Sequence, residues 1–300
     1  MAKLIMLMGL PAAGKTTYAC SLLNTEGLIK VVSLEQSRVE LYGVNRLIGD
    51  PNKVYSYTLK KLKQYLKEGY DVVYDAYNVK RKTRKHIINE VKNISSSVEG
   101  RIVWAPYEEC LVRDKQRGHV SRESKIKELL YEWQSPHKDE GFDFLDIIYN
   151  CNVGWNRLHY TNCLLDSMNI PHDNPHHRLS VKEHCADAEA YCWNKYPEIA
   201  ALQEAAAYHD IGKPMTKMFK TDEEDNTSPT AYYYQHDNVG GYLVYGCYAS
   251  DPVSKGRALL VSWLVCYHMH PYFQSNYYNN LTGTSRMWLD MLHEADVAAH

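Results

Sequence analysis

A short apolar run, KLIMLMG, passes directly into Gly9-Leu-Pro-Ala-Ala-Gly14-Lys15-Thr16-Thr17, a segment that satisfies the spacing GxxxxGK[ST]. Few folds accommodate it. The apolar run reads as a buried strand, the glycines let the backbone curl, and a helix starts at the lysine. Backbone N–H groups across Gly9, Ala12, Ala13, Gly14 and Thr17 then face a polyphosphate, Lys15 reaches its β and γ oxygens, and Thr16 is placed to ligate Mg²⁺. The motif predicts a site for ATP, or another nucleoside triphosphate, with Mg²⁺.

Similar apolar runs recur as LIKVVS, YDVVYDA and GRIVWAP, separated by stretches of helical length. Continuous rather than alternating apolar residues mark strands buried on both faces, hence a parallel sheet covered by helices. After FDFLDIIYNCNVGW no such run follows and long helical patterns take over, which puts a boundary near Asn150. The expectation is an α/β P-loop NTPase-type domain over 1–150 and an all-α domain over 151–300, and 300 residues suffice for two such cores.

Charge divides along the same line. Residues 1–150 carry 24 Lys+Arg against 19 Asp+Glu, and subtraction from the chain totals of 34 and 36 leaves 10 against 17 for residues 151–300. Of 14 histidines, 3 fall in the first half and 11 in the second. A mildly basic half suits an anionic substrate; an acidic, histidine-rich half suits a divalent cation. Eight cysteines without a CxxC pair indicate neither a zinc knuckle nor a disulfide framework, as expected of reduced thiols in a cytosolic protein. The longest apolar run, LLVSWLVCY, is far short of the ~20 residues that span a bilayer, so no membrane partner is expected. The opening MAKLIMLMGLPAAG is not read as a secretory signal, because its apolar core is minimal and Gly-Lys-Thr-Thr completes the phosphate motif.

Further chemistry follows the loop. Glu35 and Arg38, after the second apolar run, stand three residues apart and share one side of a helical turn: a carboxylate to accept a hydroxyl proton and a guanidinium to hold an acceptor phosphate, or an ordinary surface ion pair. Asp75 ends the third run, where it can orient Mg²⁺ or its waters. Arg113 and Arg117 stand one turn apart and can close over a polyphosphate or form a solvated face. The run VKRKTRKH, residues 79–86, either meets a nucleic-acid backbone or is the wet face of a helix.

On these residues the first half resembles the P-loop polynucleotide 5′-kinase family. In that family a catalytic acid and an arginine follow the second strand, a D-A-x-N-like segment follows the third, and a lid helix carries paired arginines. Here these are Glu35 with Arg38, DAYN from Asp75 to Asn78, and Arg113 with Arg117; WQSPHKDEGFD is similar to the family's tail of this domain. The resemblance implies transfer of phosphate from ATP to a 5′-hydroxyl end, with Lys15, Glu35, Arg38, Arg113 and Arg117 catalytic. One departure is that the family's base is normally aspartate, and a glutamate shifts the carboxylate by about one C–C bond.

The second half offers His184 in HHRLSVKEHCADAEAY, His209 and Asp210 in AYHDIGKP, His236 in YQHDNVGG, His268 and His270 in LVCYHMHP, and Asp296 in LHEADVAAH. Imidazoles and carboxylates together suit Mn, Fe, Co, Ni, Zn or Mg rather than a thiolate site. This ordered set resembles the HD-domain metallophosphohydrolases, which are all-α. The resemblance implies His184, His209, Asp210 and Asp296 around one metal, and His236 with His268 around a second, Asp210 bridging; His270 competes with His268. Lys213 would face the substrate phosphate. The stretch TDEEDNTSPTAYYYQHD reads as a polar loop whose three tyrosines pack on the core or stack on a base.

Together the two resemblances imply an enzyme that heals broken nucleic-acid ends, RNA ahead of DNA: a 5′-phosphate added, a 2′,3′-cyclic, 2′- or 3′-phosphate removed, and a separate ligase acting afterwards in a phage or bacterial repair setting. The residues by themselves support only an NTP-dependent kinase joined to a metal phosphohydrolase; the rival readings are a nucleoside or metabolite kinase fused to a nucleotidase, and a nucleotide-binding switch joined to an effector module.

Overall fold

The computed structural model describes residues 2–23, 28–43, 49–118, 123–173, 179–220, 230–249 and 254–299. The polar stretch 221–229 expected from the sequence lies outside them. The chain divides into two compact units, one of Met1–Ile126 with Pro136–Asn152, the other of Lys127–Ser135 with Val153–His300.

In the first unit the strands are β1 (Lys3–Met8), β2 (Ile29–Ser33), β3 (Asp71–Asp75), β4 (Ser97–Trp104) and β5 (Phe144–Tyr149). They form one sheet in the order β2-β3-β1-β4-β5, every pair parallel. The centre is β1, with Leu4 opposite Val72 on one side and Val98 on the other. Leu4, Met6, Leu7 and Met8 are fully buried, as strands with helices on both faces require. The helices are α1 (Lys15–Leu23), α2 (Leu34–Tyr42), α3 (Pro51–Lys67), α4 (Arg81–Val91) and α5 (Tyr107–Gln116); α6 (Glu123–Tyr131) runs on into the second unit. Helix α3 shows the local logic. Asp50 caps it by accepting from the Asn52 N–H at 2.8 Å, Pro51 occupies its first turn, and Val54, Thr58, Leu62 and Leu66 bury one stripe.

The second unit is helix-rich: α7 (Arg157–Ser167), α8 (Val181–Lys195), α9 (Ala200–Tyr208), α10 (Lys213–Thr216), α11 (His236–Cys247), α12 (Lys255–Tyr267), α13 (Asn276–Asn279) and α14 (Gly283–Ala298). It is not purely helical as expected, because Met218–Lys220 and Thr230–Tyr232 pair as a short antiparallel ribbon, β6 and β7. A capping box starts α8: the Glu183 N–H donates to Ser180 Oγ, and the Ser180 N–H to Glu183 Oε2. Trp133, fully buried, meets Tyr242 and Tyr245 edge-on at 5.2 and 6.0 Å between centroids.

Candidate active sites

The first site lies where β1 turns into α1. Gly14 has φ +103°, and a Cβ there would stand 2.1 Å from Asn150 Nδ2, so only glycine fits. Asn150 Nδ2 in turn donates to the Ala13 carbonyl at 2.8 Å. The loop is tied to the turn after β3, where the Gly9 N–H donates to Tyr77 O (3.0 Å) and Asn78 Nδ2 to Leu7 O (2.7 Å). Ala12 holds φ +59°, an uncommon conformation for a residue with a Cβ. Because α1 begins at Lys15, the N–H groups of Lys15, Thr16 and Thr17 precede its first helical bond, from the Tyr18 N–H to Gly14 O, and mark an anion site.

Lys15 is buried, and its Nζ donates to Gly9 O (3.0 Å) and Leu10 O (2.8 Å). Burial pushes its pKa down to about 8, against the pull of Asp75. Thr16 Oγ1 donates to Asp75 Oδ2 at 2.7 Å, which pairs the two side chains expected around Mg²⁺. Glu35, exposed, and Arg38, half-buried, share the first turns of α2, which Ser33 caps. Among the described residues they form no ion pair, with each other or otherwise, which removes the simple surface-pair reading. Arg113 pairs with Glu109 and donates to the Asn150 carbonyl at 3.0 Å, so it is already engaged. Arg117 caps the end of α5, is exposed, and acts on Lys15 through its charge. Asn150, which joins the loop to Arg113, carried no signal in the sequence.

The second site is a buried cluster. Asp210 sits just after α9, and its two carboxylate oxygens face different histidines: Oδ2 lies 3.5 Å from His209 Nε2 and 3.9 Å from His184 Nε2, and Oδ1 lies 3.1 Å from His236 Nε2 and 3.7 Å from His268 Nε2. Asp296, on α14, places Oδ1 3.0 Å from His184 Nε2 and 3.5 Å from His209 Nε2, while Tyr272 donates to Oδ2 at 3.1 Å. His270 lies elsewhere, bound to Ser275 Oγ, so of the two candidates His268 is the one that joins the cluster. Gly212 permits the close approach: a Cβ there would stand 2.1 Å from the His236 carbonyl.

The four rings are oriented alike. Nδ1 of His209, His236, His268 and His184 faces the carbonyls of Ala206 (2.8 Å), Tyr233 (2.7 Å), Val265 (2.7 Å) and Ala299 (3.3 Å). A carbonyl only accepts, so each Nδ1 carries a proton and each Nε2 points inward, the orientation that presents imidazoles to a metal. Asp210 Oδ2 is buried with no aligned hydrogen bond. Two triads, His184-His209-Asp210 and Asp210-His236-His268, bring their ligand atoms within 4.8 Å of one another. Nitrogen and carboxylate donors in this number fit one or two divalent transition metals or Mg²⁺.

Electrostatics point the same way. Burial opposes the charge of Asp210, but Lys213 and His209 hold its carboxyl well below the usual carboxylate range; Asp296 is likewise held low by His209 and His184. Burial also opposes charge on His209, yet Cys185, Asp210 and Asp296 raise it well above the ordinary imidazole value. Burial and the neighbouring His236 and His209 push His268 down to about 3, leaving it neutral. Lys213 is buried rather than open to solvent, its Nζ 2.5 Å from Asp210 Oδ2 and 3.1 Å from His172 Nε2. His172 is the residue the sequence reading missed: buried, with Nδ1 on the Leu179 carbonyl at 2.9 Å, it falls in IPHDNPHH without any spacing signal.

Residues 4–135 match the AAA domain family. The N-terminal half is a P-loop α/β domain built on a parallel sheet. Among solved structures, the P-loop chain is similar to a component of the Pnkp1/Rnl/Hen1 RNA repair complex, at 20% identity over 42% of this chain and 45% of that one, with a TM-score of 0.36. It is also similar to Kti12 of Chaetomium thermophilum (19% identity, 49% and 88%, TM-score 0.40) and to a fungal RNA kinase (15%, 57% and 89%, TM-score 0.36). The chain thus spans less than half the length of the first of these. No curated protein matches it. Among the described residues no helix is long and apolar enough to cross a membrane.

Proposed function

We propose that this P-loop chain is a bifunctional enzyme of nucleic-acid ends, acting on RNA in particular: the first unit phosphorylates a 5′-hydroxyl end with ATP, and the second, an HD-type phosphohydrolase, removes a 2′,3′-cyclic, 2′- or 3′-phosphate. The observation that supports it is that one chain carries two separate polar clusters, Lys15-Thr16-Asp75 at the loop and the buried His184-His209-Asp210-His236-His268-Asp296 set.

In the first unit the hydroxyl oxygen attacks the γ-phosphorus, the bond to the β-bridging oxygen breaks, ADP leaves, and the hydroxyl proton passes to Glu35. Lys15 and the N–H groups of the loop hold the β and γ oxygens; Thr16 and Asp75 hold the site of Mg²⁺; Arg38 takes an acceptor phosphate in its fork. Arg117, and Arg113 once released from Glu109, offset charge that develops on the transferred group. In the second unit the six residues would hold the metal, and Lys213 would turn from Asp210 to a substrate phosphate. The metal, when bound, supplies Lewis acidity to the phosphoryl group and a water of lowered pKa.

The test is an oligonucleotide with a 5′-hydroxyl and a 3′-phosphate or cyclic end, incubated with ATP and Mg²⁺ or Mn²⁺ and weighed. Lys15→Ala removes only the gain of mass at the 5′ end, and Asp210→Ala only the loss at the other. Phosphorylation of mononucleosides as well as oligomers would transfer the reading to a small-molecule kinase fused to a nucleotidase.

A further inference from the structure

The helices α3 and α4 carry an unusual excess of cations. Lys53, Lys60, Lys61, Lys63 and Lys67 on α3, with Arg81, Lys82, Arg84 and Lys85 on α4, stand against two carboxylates, Glu90 on α4 and Glu68 capping the end of α3. Part of this charge is internally satisfied. Arg84 is fully buried and forms a two-pronged pair with Glu140 (2.7 and 2.8 Å), Lys61 pairs with Glu40, Lys63 with Glu90, and Arg81 with Asp139. The basic run 79–86 is therefore not one uniformly wet face. Lys60, Lys67 and Lys82 are exposed and form no ion pair among the described residues.

Between these helices lies a groove of about 710 Å³, lined along α3 by Tyr55, Lys60, Lys63 and Lys67 and from α4 by His86; its one carboxylate, Glu68 at the end of α3, accepts from Gln64 Nε2 at 2.7 Å, so lysines outnumber it three to one along the groove. Tyr55 and His86 stack with centroids 6.0 Å apart and planes at 30°. Lys82 stands one helical turn before His86 and so extends the same side. Both helices run antiparallel to the strands they lead into or out of, so Tyr55 and Lys82 lie toward the carboxyl edge of the sheet, the edge that bears Lys15, Thr16 and Asp75. From Tyr55 to Lys67 is twelve residues of helix, or about 18 Å, the length of about five stacked nucleotides.

We propose that this groove holds the single strand downstream of the 5′ end being phosphorylated: Lys60, Lys67 and Lys82 meet its phosphates, and the Tyr55-His86 pair offers a face to a base. This rests on the polynucleotide reading of the first unit. It makes strand length a determinant of the kinase reaction, independent of the chemistry at the loop.

The experiment compares the full-length protein with the triple variant Lys60→Glu, Lys67→Glu, Lys82→Glu on a 5′-hydroxyl dinucleotide and on a strand of about twenty nucleotides, by kcat/KM and by fluorescence anisotropy across a salt series. The expected result is that the wild type prefers the long strand by at least about tenfold at low salt, that the variant loses this preference, and that its log–log salt slope is shallower by about two. Its rate on the dinucleotide stays unchanged. The triple glutamine variant, which removes charge without reversing it, gives an intermediate loss. A variant that keeps the full preference for the long strand overturns the groove and leaves the kinase reading intact. A wild type that phosphorylates neither strand overturns both.

Discussion

Lys213 Nζ lies 2.5 Å from Asp210 Oδ2, inside the cluster that the four histidines surround. An ammonium at that distance competes with any divalent cation for the same oxygen. Lys213→Met is expected to bind Mn²⁺ several-fold more tightly in calorimetry, by relief of like-charge repulsion of about 1 kcal/mol, while phosphate release by the second unit slows by about 10²-fold or more because the substrate loses its cation. Weaker Mn²⁺ binding in this variant would mean that Lys213 supports the metal site instead.

Metal should also stabilise the second unit. The inward Nε2 atoms of His184, His209, His236 and His268 and the Asp210 carboxylate, which faces only Lys213 and the imidazoles, are buried ligand atoms that a divalent cation can bind together. At a hundredfold excess over Kd, binding to the folded state alone contributes about 2.7 kcal/mol, a rise of several degrees in thermal melting that a chelator reverses. His236→Ala, with its share of the cluster gone, should show a smaller rise than wild type.

The pKa of Lys15 makes nucleotide binding depend on pH. Burial lowers it from 10.5 to about 8, so the free protein loses this charge as pH rises through 8, and a polyphosphate beside it restores the proton. ATP binding near pH 9 is expected to take up close to one proton and to weaken above pH 8, as read by calorimetry in buffers of different ionisation enthalpy. The linkage sign for stability follows: between about 8 and 10.5 the unfolded chain holds more protons at this position, so the burial penalty of the charged lysine fades as pH rises. Lys15→Arg, charged throughout, should abolish the proton uptake.

Glu35→Gln keeps the shape of α2 and removes the base. Kinase turnover should fall by about 10²- to 10⁴-fold with ATP affinity unchanged. Unchanged turnover would exclude Glu35 as the proton acceptor.

Arg84 and Glu140 are both fully buried, and Arg84 also donates to the carbonyls of Asn78 and Val79, just past Asp75. Arg84→Met strands the Glu140 carboxylate and should cost about 3–5 kcal/mol in denaturant unfolding. The double variant with Glu140→Leu should recover much of that loss.

These residues show where sequence reading reaches and where it stops. The loop from Gly9 to Thr17, the parallel strands and the Thr16-Asp75 pair are legible because their determinants are local: a spacing, an unbroken apolar run, a strand end. The six donors of the second unit are legible as an ordered set on successive helices, but the choice of His268 over His270 is not. It depends on where α12 ends, since His268 caps the last turn with Nδ1 on Val265 and two further residues rotate His270 away. His172, Tyr272 and Asn150 were invisible for a related reason. Each reaches its site through tertiary packing, from a loop whose residues obey no period.

Trp133 precedes the last strand of the first unit in sequence yet packs within the second, against Tyr242 and Tyr245. The two compact units are thus interleaved along one chain. A fragment beginning after Asn150 would carry all six ligands and still lack a tryptophan from its interior, a loss worth about 3–5 kcal/mol. The hydrophobic interior of the second unit therefore begins, in sequence, before the last strand of the first.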